Sequence, residues 1–301
     1  MRRRVIRGAG TWAGTAVVPG ITGLVRTFGL VGDPVRHSLS PPMHEAAFRE
    51  LGLEATYTTV RVPADQPGQV RTAMEALART GGGNVTVPHK QTAAAVLDAA
   101  SSDVLLTGAC NCFWADPAGG VHGDNTDVGG ILAVLQFMEG FQPAGASVLV
   151  LGAGGAARAA VVAASRAGAE SVAVRNRSPD RAGSAVEQLD SDCDAAISLA
   201  PDSIDPEVYD LVIQATRLGM NPADPLPLEF HTIPPAYALD LVYAPGETRW
   251  TRHARERGAH ALDGLAVLFE QGVLSLERWL AQPMPPGVRT VMWDSLCGAV
   301  R

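Results

Sequence analysis

Ser147-Val148-Leu149-Val150-Leu151-Gly152-Ala153-Gly154-Gly155-Ala156-Ala157 holds the instruction for one half of the molecule. The first five residues form an uncharged apolar run, the length and composition of a strand buried on both faces of a parallel sheet. Gly152, Gly154 and Ala157 then match G-x-G-x-x-[GA], and Ala156 to Ala167 reads as a helix of strong formers. Gly152 suits a tight turn, Gly154 lets backbone approach a pyrophosphate, and Ala157 lets helix and strand pack closely. The helix start, from Gly152 and Ala153 through Gly155 and Ala156, aims free N–H groups and a positive end at phosphates.

Alone, this pattern is weak in a chain with 32 glycines. Its surroundings strengthen it. Gly168 closes the helix, Ser171 to Val174 supplies a second strand, and Asn176-Arg177-Ser178 follows with Arg181 one turn on. An NAD site calls for Asp or Glu near this point to accept from ribose hydroxyls. Arginines after an Asn instead offer planar donors to a 2′-phosphate, which favours NADP. A solvated basic turn is the bland alternative.

The chain has 301 residues, is 47% hydrophobic and 18% charged, and therefore has material for two globular domains. A net charge of −7 argues against a general nucleic-acid surface. No stretch approaches membrane-spanning length, and the polar segment after Arg2-Arg3-Arg4 does not read as a secretory signal. Cys110, Cys112, Cys193 and Cys297 have no zinc spacing, so no metal site is expected; scattered reduced thiols point to the cytoplasm.

Outward from the glycine turn, residues 1–23 read as an extension without assigned function. Thr27–Gly32, Thr56–Val62 and Asn84–Val87 read as strands. Helices are expected from Pro42 or Met43 to about Leu51, over Gln69–Thr80, and from Pro88 to about Ala100. Ala109–Trp114 and Val121–Gly123 form a hairpin-like pair, and Asp124-Asn125-Thr126-Asp127 opens a helix expected to run over Val128–Phe141. Leu211–Gln214 and Ala238–Val242 are later strands, a proline-rich connection spans Pro222–Pro235, and Leu265–Leu280 is helical. The expected fold class is α/β with two domains. An α/β substrate-binding domain covers 24–126 and is completed by 264–301; a Rossmann-type, doubly wound NADP-binding domain covers 127–263.

Three polar stretches lack a core role: His37-Ser38-Leu39-Ser40-Pro41, Asn84-Val85-Thr86-Val87-Pro88-His89-Lys90 and Gly123-Asp124-Asn125-Thr126-Asp127. Together with the glycine turn, Asn176-Arg177-Ser178, Ala215-Thr216, Asp240-Leu241-Val242-Tyr243 and Asp263-Gly264-Leu265, they closely resemble shikimate dehydrogenase over about Thr27 to Trp279. The resemblance implies an NADP-dependent oxidoreductase of aromatic amino-acid (chorismate) biosynthesis that interconverts 3-dehydroshikimate and shikimate. It implies that Lys90 and Asp127 are the catalytic pair. It implies that Ser38 and Ser40 hold the substrate carboxylate, and that Asn84, Thr86, Asn111, Tyr243 and Gln271 bind around the same ligand. Thr216 and Gly264 join the glycine turn and the arginine loop as cofactor contacts.

The roles fit the residue types. Serine hydroxyls donate to an anion, and Asn84 and Thr86, two apart on a strand, share a face. A lysine ammonium both stabilises the oxygen charge that grows as hydride arrives and can donate the proton. A surface lysine and a helix-capping aspartate are the bland alternatives. The sequence departs from the family pattern at Glu45, Cys112, Gln214, Arg217 and Ala244, and loosely over Ala266–Phe269. These departures leave open a quinate/shikimate or aminoshikimate dehydrogenase. A non-catalytic NADP-binding sensor is the rival from another class. The expected partner is a small-molecule substrate, with the protein a monomer or homodimer.

Overall fold

A computed structural model describes residues 25–201, 203–229 and 234–300. The extension expected over 1–23 and part of the proline-rich connection lie outside the described residues.

The second half carries the glycine turn. β7 (Ser147–Leu151), β8 (Ser171–Arg175), β9 (Ala196–Leu199), β10 (Leu211–Gln214), β11 (Tyr237–Asp240) and β12 (His260–Leu262) form one sheet in the order β12-β11-β10-β7-β8-β9. Every pairing in it is parallel. The strand order therefore reverses between β7 and β10, where an open α/β sheet leaves a crevice for ligands. Helix α6 (Gly155–Arg166) follows β7 and α7 (Pro179–Leu189) follows β8. β7 is buried along most of its length, as its uncharged run demands. Its Val148 and Val150 share a core with Ala157, Ala160, Val161 and Ala164 of α6. α8 (Arg249–Glu256) covers the opposite face through Trp250 and Ala254.

The first half builds a mixed sheet from β1 (Arg26–Gly32), β2 (Ala55–Arg61), β3 (Gly82–Val85), β4 (Ala99–Ala100), β5 (Cys112–Ala115) and β6 (Val121–Asp124), in the order β2-β1-β3-β5-β6-β4. β1 runs parallel to β2 and β3, while β5 is antiparallel to β3 and β6. Its helices are α1 (Ser40–Glu50), α2 (Gln69–Ala78), α3 (Lys90–Ala95) and α4 (Ser102–Thr107). α2 buries Val70, Met74 and Leu77, the stripe read from the sequence. α9 (Leu265–Leu280) and α10 (Pro286–Ala299) return to this half, where Val273, Leu276, Val288 and Met292 share a core with Phe28, Met43 and Phe48. α5 (Thr126–Phe137) crosses between the halves and packs on both α6 and α9.

Several boundaries differ from expectation. β3 begins inside the triple glycine and stops at Val85, so Thr86 lies just beyond it rather than on the same strand as Asn84. Pairing of Gly82 and Gly83 with Phe28 and Gly29 overrides glycine's poor strand preference. α3 ends at Ala95, not near Ala100, because Ala99 and Ala100 pair with His122 and Gly123. α5 ends at Phe137, before the expected Phe141, where Met138 turns extended. The short edge strands β9 and β12, and the helix α4, gave no periodic signal.

Candidate active site

A cleft opens between the two sheets. It is lined by Ser38, Ser40, Asn84, Thr86, Lys90, Asn111, Asp127, Tyr243 and Gln271, with Ala156 and Gly264 from the nucleotide side. All nine catalytic and substrate-binding residues expected from the sequence thus meet in one place. Thr86 reaches it from the bend after β3, where its amide donates to the Val31 carbonyl at 2.8 Å. The remaining expected cofactor residues do not line this cleft. Gly152, Ala153, Gly154 and Gly155 lie at the end of β7, and Asn176, Arg177, Ser178 and Arg181 follow β8. Thr216 follows β10. The first two groups are tied together, since the Gly152 amide donates to the Arg175 carbonyl at 2.7 Å.

Lys90 opens α3 and Asp127 lies in the first turn of α5. The Lys90 ammonium donates to Asp127 Oδ2, and both side chains are largely shielded from solvent. The other carboxylate oxygen, Oδ1, accepts from Asn111 Nδ2 at 2.7 Å, so neither oxygen is free to wander. A shielded ion pair is weak evidence of stabilisation, because desolvation offsets most of the attraction. Its position in the cleft gives it a chemical reading instead.

Asn111, just ahead of β5, is engaged on all sides. Its Oδ1 accepts from the amide and hydroxyl of Thr126 at 2.7 and 3.1 Å, and its Nδ2 also donates to Gln271 Oε1 at 3.2 Å. It meets a ligand only by releasing one of these, and the Gln271 contact is the longest. Ser38 and Ser40 sit at the start of α1, with the Ser40 amide donating to Ser38 Oγ at 3.2 Å. Tyr243 crosses from beyond β11 to the Ser38 hydroxyl and the backbone at Leu39, and burial pushes its phenol up. It therefore stays a hydrogen-bond donor at neutral pH, beside two serine hydroxyls, which suits a carboxylate.

The nucleotide side tests well against a dinucleotide. Gly152 adopts φ +125°, and a Cβ there would lie 3.0 Å from the Ala215 carbonyl oxygen, so only glycine fits the turn between β7 and β10. Nothing lies within 4 Å of where a Cβ would stand on Gly154, and α6 starts without a side-chain cap. Its first N–H groups are thus available to phosphate oxygens. At Gly155 a Cβ would stand 2.9 Å from Ala109 Cβ and 3.4 Å from Lys90 Cβ. That close approach places the start of α6 directly against Lys90. Arg177, just beyond β8, and Arg181, in the first turn of α7, are both exposed.

The departures find structural places. Gln214 Oε1 accepts from the Thr216 amide at 2.5 Å, and its Nε2 donates to the Leu218 carbonyl at 2.9 Å and to Asp240 Oδ1 at 3.3 Å, shaping the loop that carries Thr216. Burial pushes the Asp240 carboxyl up to about 6. Arg217 is exposed at the same turn. Cys112 is buried behind the cleft on β5. Tyr57 and Ser275, to which the sequence assigns no site role, brace the polar groups from behind together with Thr126 of the third polar stretch. Ser275 lies one helical turn after Gln271 on α9, a spacing that puts both on one face.

A parallel sheet with a glycine turn at its switch point, facing an amine–carboxylate pair across a cleft, defines a two-domain α/β oxidoreductase that works with a nicotinamide dinucleotide. Comparison with known proteins narrows the class. The shikimate dehydrogenase substrate binding domain model matches residues 30–113. The chain is 38% identical over 276 residues to the shikimate dehydrogenase (NADP(+)) of Desulforamulus reducens, covering 89% of this chain and 94% of that one. The shikimate 5-dehydrogenase of Thermus thermophilus, solved in complex with shikimate, superposes with a TM-score of 0.75 at 35% identity, covering 91% of this chain and 99% of that chain. The ligand-free 5-ketofructose reductase of a Gluconobacter species superposes with a TM-score of 0.77 at 30% identity, covering 92% and 99%. The chain belongs to the shikimate dehydrogenase family.

Proposed function

We propose that this protein catalyses the reversible NADPH-dependent reduction of 3-dehydroshikimate to shikimate. The observation that carries the reading is the convergence of Ser38, Asn84, Lys90, Asp127, Tyr243 and Gln271, from widely separated segments, on one cleft. In this reading residues 24–126 and 264–301 hold the substrate, and 127–263 hold the cofactor. NADP, when bound at the turn after β7, supplies or accepts the hydride. Backbone N–H groups at Gly154–Ala156 bind the pyrophosphate, and Arg177 and Arg181 take the 2′-phosphate.

Ser38, Ser40 and Tyr243 donate to the substrate carboxylate, while Asn84, Thr86 and Gln271 meet ring hydroxyls. Lys90 donates a proton to the carbonyl oxygen as that oxygen gains charge, and its amine then regains a proton from water. Asp127 holds the Lys90 side chain in place through its Oδ2. In the oxidative direction the neutral amine of Lys90 takes the hydroxyl proton and passes it to solvent. Free, buried Cys110 and Cys112 fit a reducing cytoplasm.

The test is a side-by-side measurement of initial rates with shikimate and quinate, each with NADP and NAD, followed at the nicotinamide absorbance. Shikimate with NADP is expected to give the highest kcat/KM. Preference for quinate would move the protein to a paralogous activity, and cofactor binding without turnover would make it a sensor.

A further inference from the structure

Asn84 sits at the end of β3 with its amide in a cage that fixes which atom faces which way. Its Nδ2 lies 3.0 Å from the Asn111 carbonyl oxygen and 2.9 Å from Ser275 Oγ. A backbone carbonyl only accepts, so the nitrogen must face it, and both amide hydrogens are spent on these two partners. The oxygen Oδ1 accepts from the Tyr57 hydroxyl at 2.8 Å. Burial raises the Tyr57 phenol well above its ordinary value, so it remains a donor throughout the working range. The only capacity Asn84 has left is one lone pair.

Behind this cage the supports are fixed in turn. Ser275 Oγ donates to the Gln271 carbonyl at 2.9 Å and sits 3.0 Å from Thr126 Oγ1. Tyr57 is stacked on the His44 ring, with centroids 4.7 Å apart and planes 12° from parallel. Its hydroxyl also meets the Ser40 side chain. The Tyr57 hydroxyl thereby links Ser40 of the serine pair to Asn84, yet Tyr57 does not line the cleft itself.

We infer that Tyr57 and Ser275 are positioning residues that lock Asn84 as an acceptor, so that the substrate group facing Asn84 must be a hydrogen-bond donor. This rests on the substrate assignment above and adds a direction to one of its contacts. A hydroxyl at that place satisfies Asn84. An ether oxygen or a fluorine sets two acceptors against each other, which costs binding rather than merely omitting a contact.

Two measurements on the full-length enzyme test it. Tyr57→Phe keeps the ring stack and removes only the hydroxyl. The shikimate KM is expected to rise about tenfold, the gap of roughly 1.4 kcal/mol expected for one buried hydrogen bond. kcat should stay within about threefold and the NADP KM should not change. An unchanged shikimate KM, or a parallel rise in both KM values with a fall in melting temperature, overturns the positioning role.

The second measurement sets the direction. Inhibition constants of shikimate analogues with each non-reacting hydroxyl replaced by hydrogen or by fluorine are compared in wild type and Asn84→Ala. At the hydroxyl whose contribution Asn84→Ala abolishes, fluorine is expected to bind no better than hydrogen. Fluorine binding as well as the hydroxyl would show Asn84 donating and defeat the inference. Both results presuppose wild-type turnover of shikimate with NADP. Its absence would strike the proposed function itself, a separate and distinguishable failure.

Discussion

Lys90 is the only lysine in the chain, against 23 arginines. Wherever a fixed positive charge suffices, this protein uses guanidinium, which does not give up its proton in the working range. The one ammonium stands in the cleft against Asp127. An amine can release a proton to a developing alkoxide and recover it, whereas arginine can only hold charge, so the composition itself singles out position 90. That signal was open to sequence reading and lay in a count rather than in a motif. Arg177 makes the complementary case: it is exposed just beyond β8, where the proposed 2′-phosphate contact asks for a fixed charge and no proton transfer. Arg177→Asp should cut kcat/KM with NADP by roughly tenfold or more, the scale of one lost charge-assisted phosphate contact, while leaving kcat/KM with NAD unchanged or raised. Steady-state kinetics with both cofactors read this directly. An unchanged preference would place the phosphate clamp elsewhere.

At the scale of elements, α1 and β2 meet at His44. Its ring is fully buried, neither nitrogen has a hydrogen-bond partner among the described residues, and burial pulls it down to about 3. The folded state thus holds His44 neutral while the unfolded chain binds a proton at its ordinary value of 6.5. The stability that follows is present above pH 6.5 and is lost as pH falls from there toward 3. Urea unfolding at pH 7 and pH 5 should show a larger acid loss in wild type than in His44→Phe, by up to about 2 kcal/mol over that interval. Equal acid losses would mean that the ring is hydrated or partnered.

The elements also show what was legible beforehand. β7, α6 and β8 were, because an uncharged run, a glycine turn and an alanine-rich helix agree at every level. β3 was misplaced because its glycines argue locally for a turn and are strand only through pairing with β1. β4 was swallowed by a helix because Ala99-Ala100 is a good helix sequence that an edge pairing captures. Tyr57 and Ser275 carry no local signal for the same reason: their role is set through Asn84, which lies 27 and 191 residues from them along the chain.

At the scale of the whole molecule, the cleft lies between two sheets that share α5, so ligands from either side bind the folded state alone. Salt links between the halves, such as Arg166 with Asp103, are exposed and contribute little. Ligand binding should therefore be the larger lever. NADP and shikimate, each at a hundredfold excess over its Kd, should each stabilise by about 2.7 kcal/mol. That corresponds to a rise of several degrees in melting temperature. A shift with NADP but none with shikimate would leave the nucleotide half as the only binding surface.

The sharpest measurement is the turnover of shikimate with NADP by Lys90→Ala beside wild type, with NADPH affinity followed by nicotinamide fluorescence. A lysine that carries the proton predicts a fall in kcat of about 10²–10⁴-fold, the range for a positioned acid or base, with NADPH affinity unchanged. Turnover within about twofold of wild type would contradict the assignment, because the chain has no second amine side chain to take over.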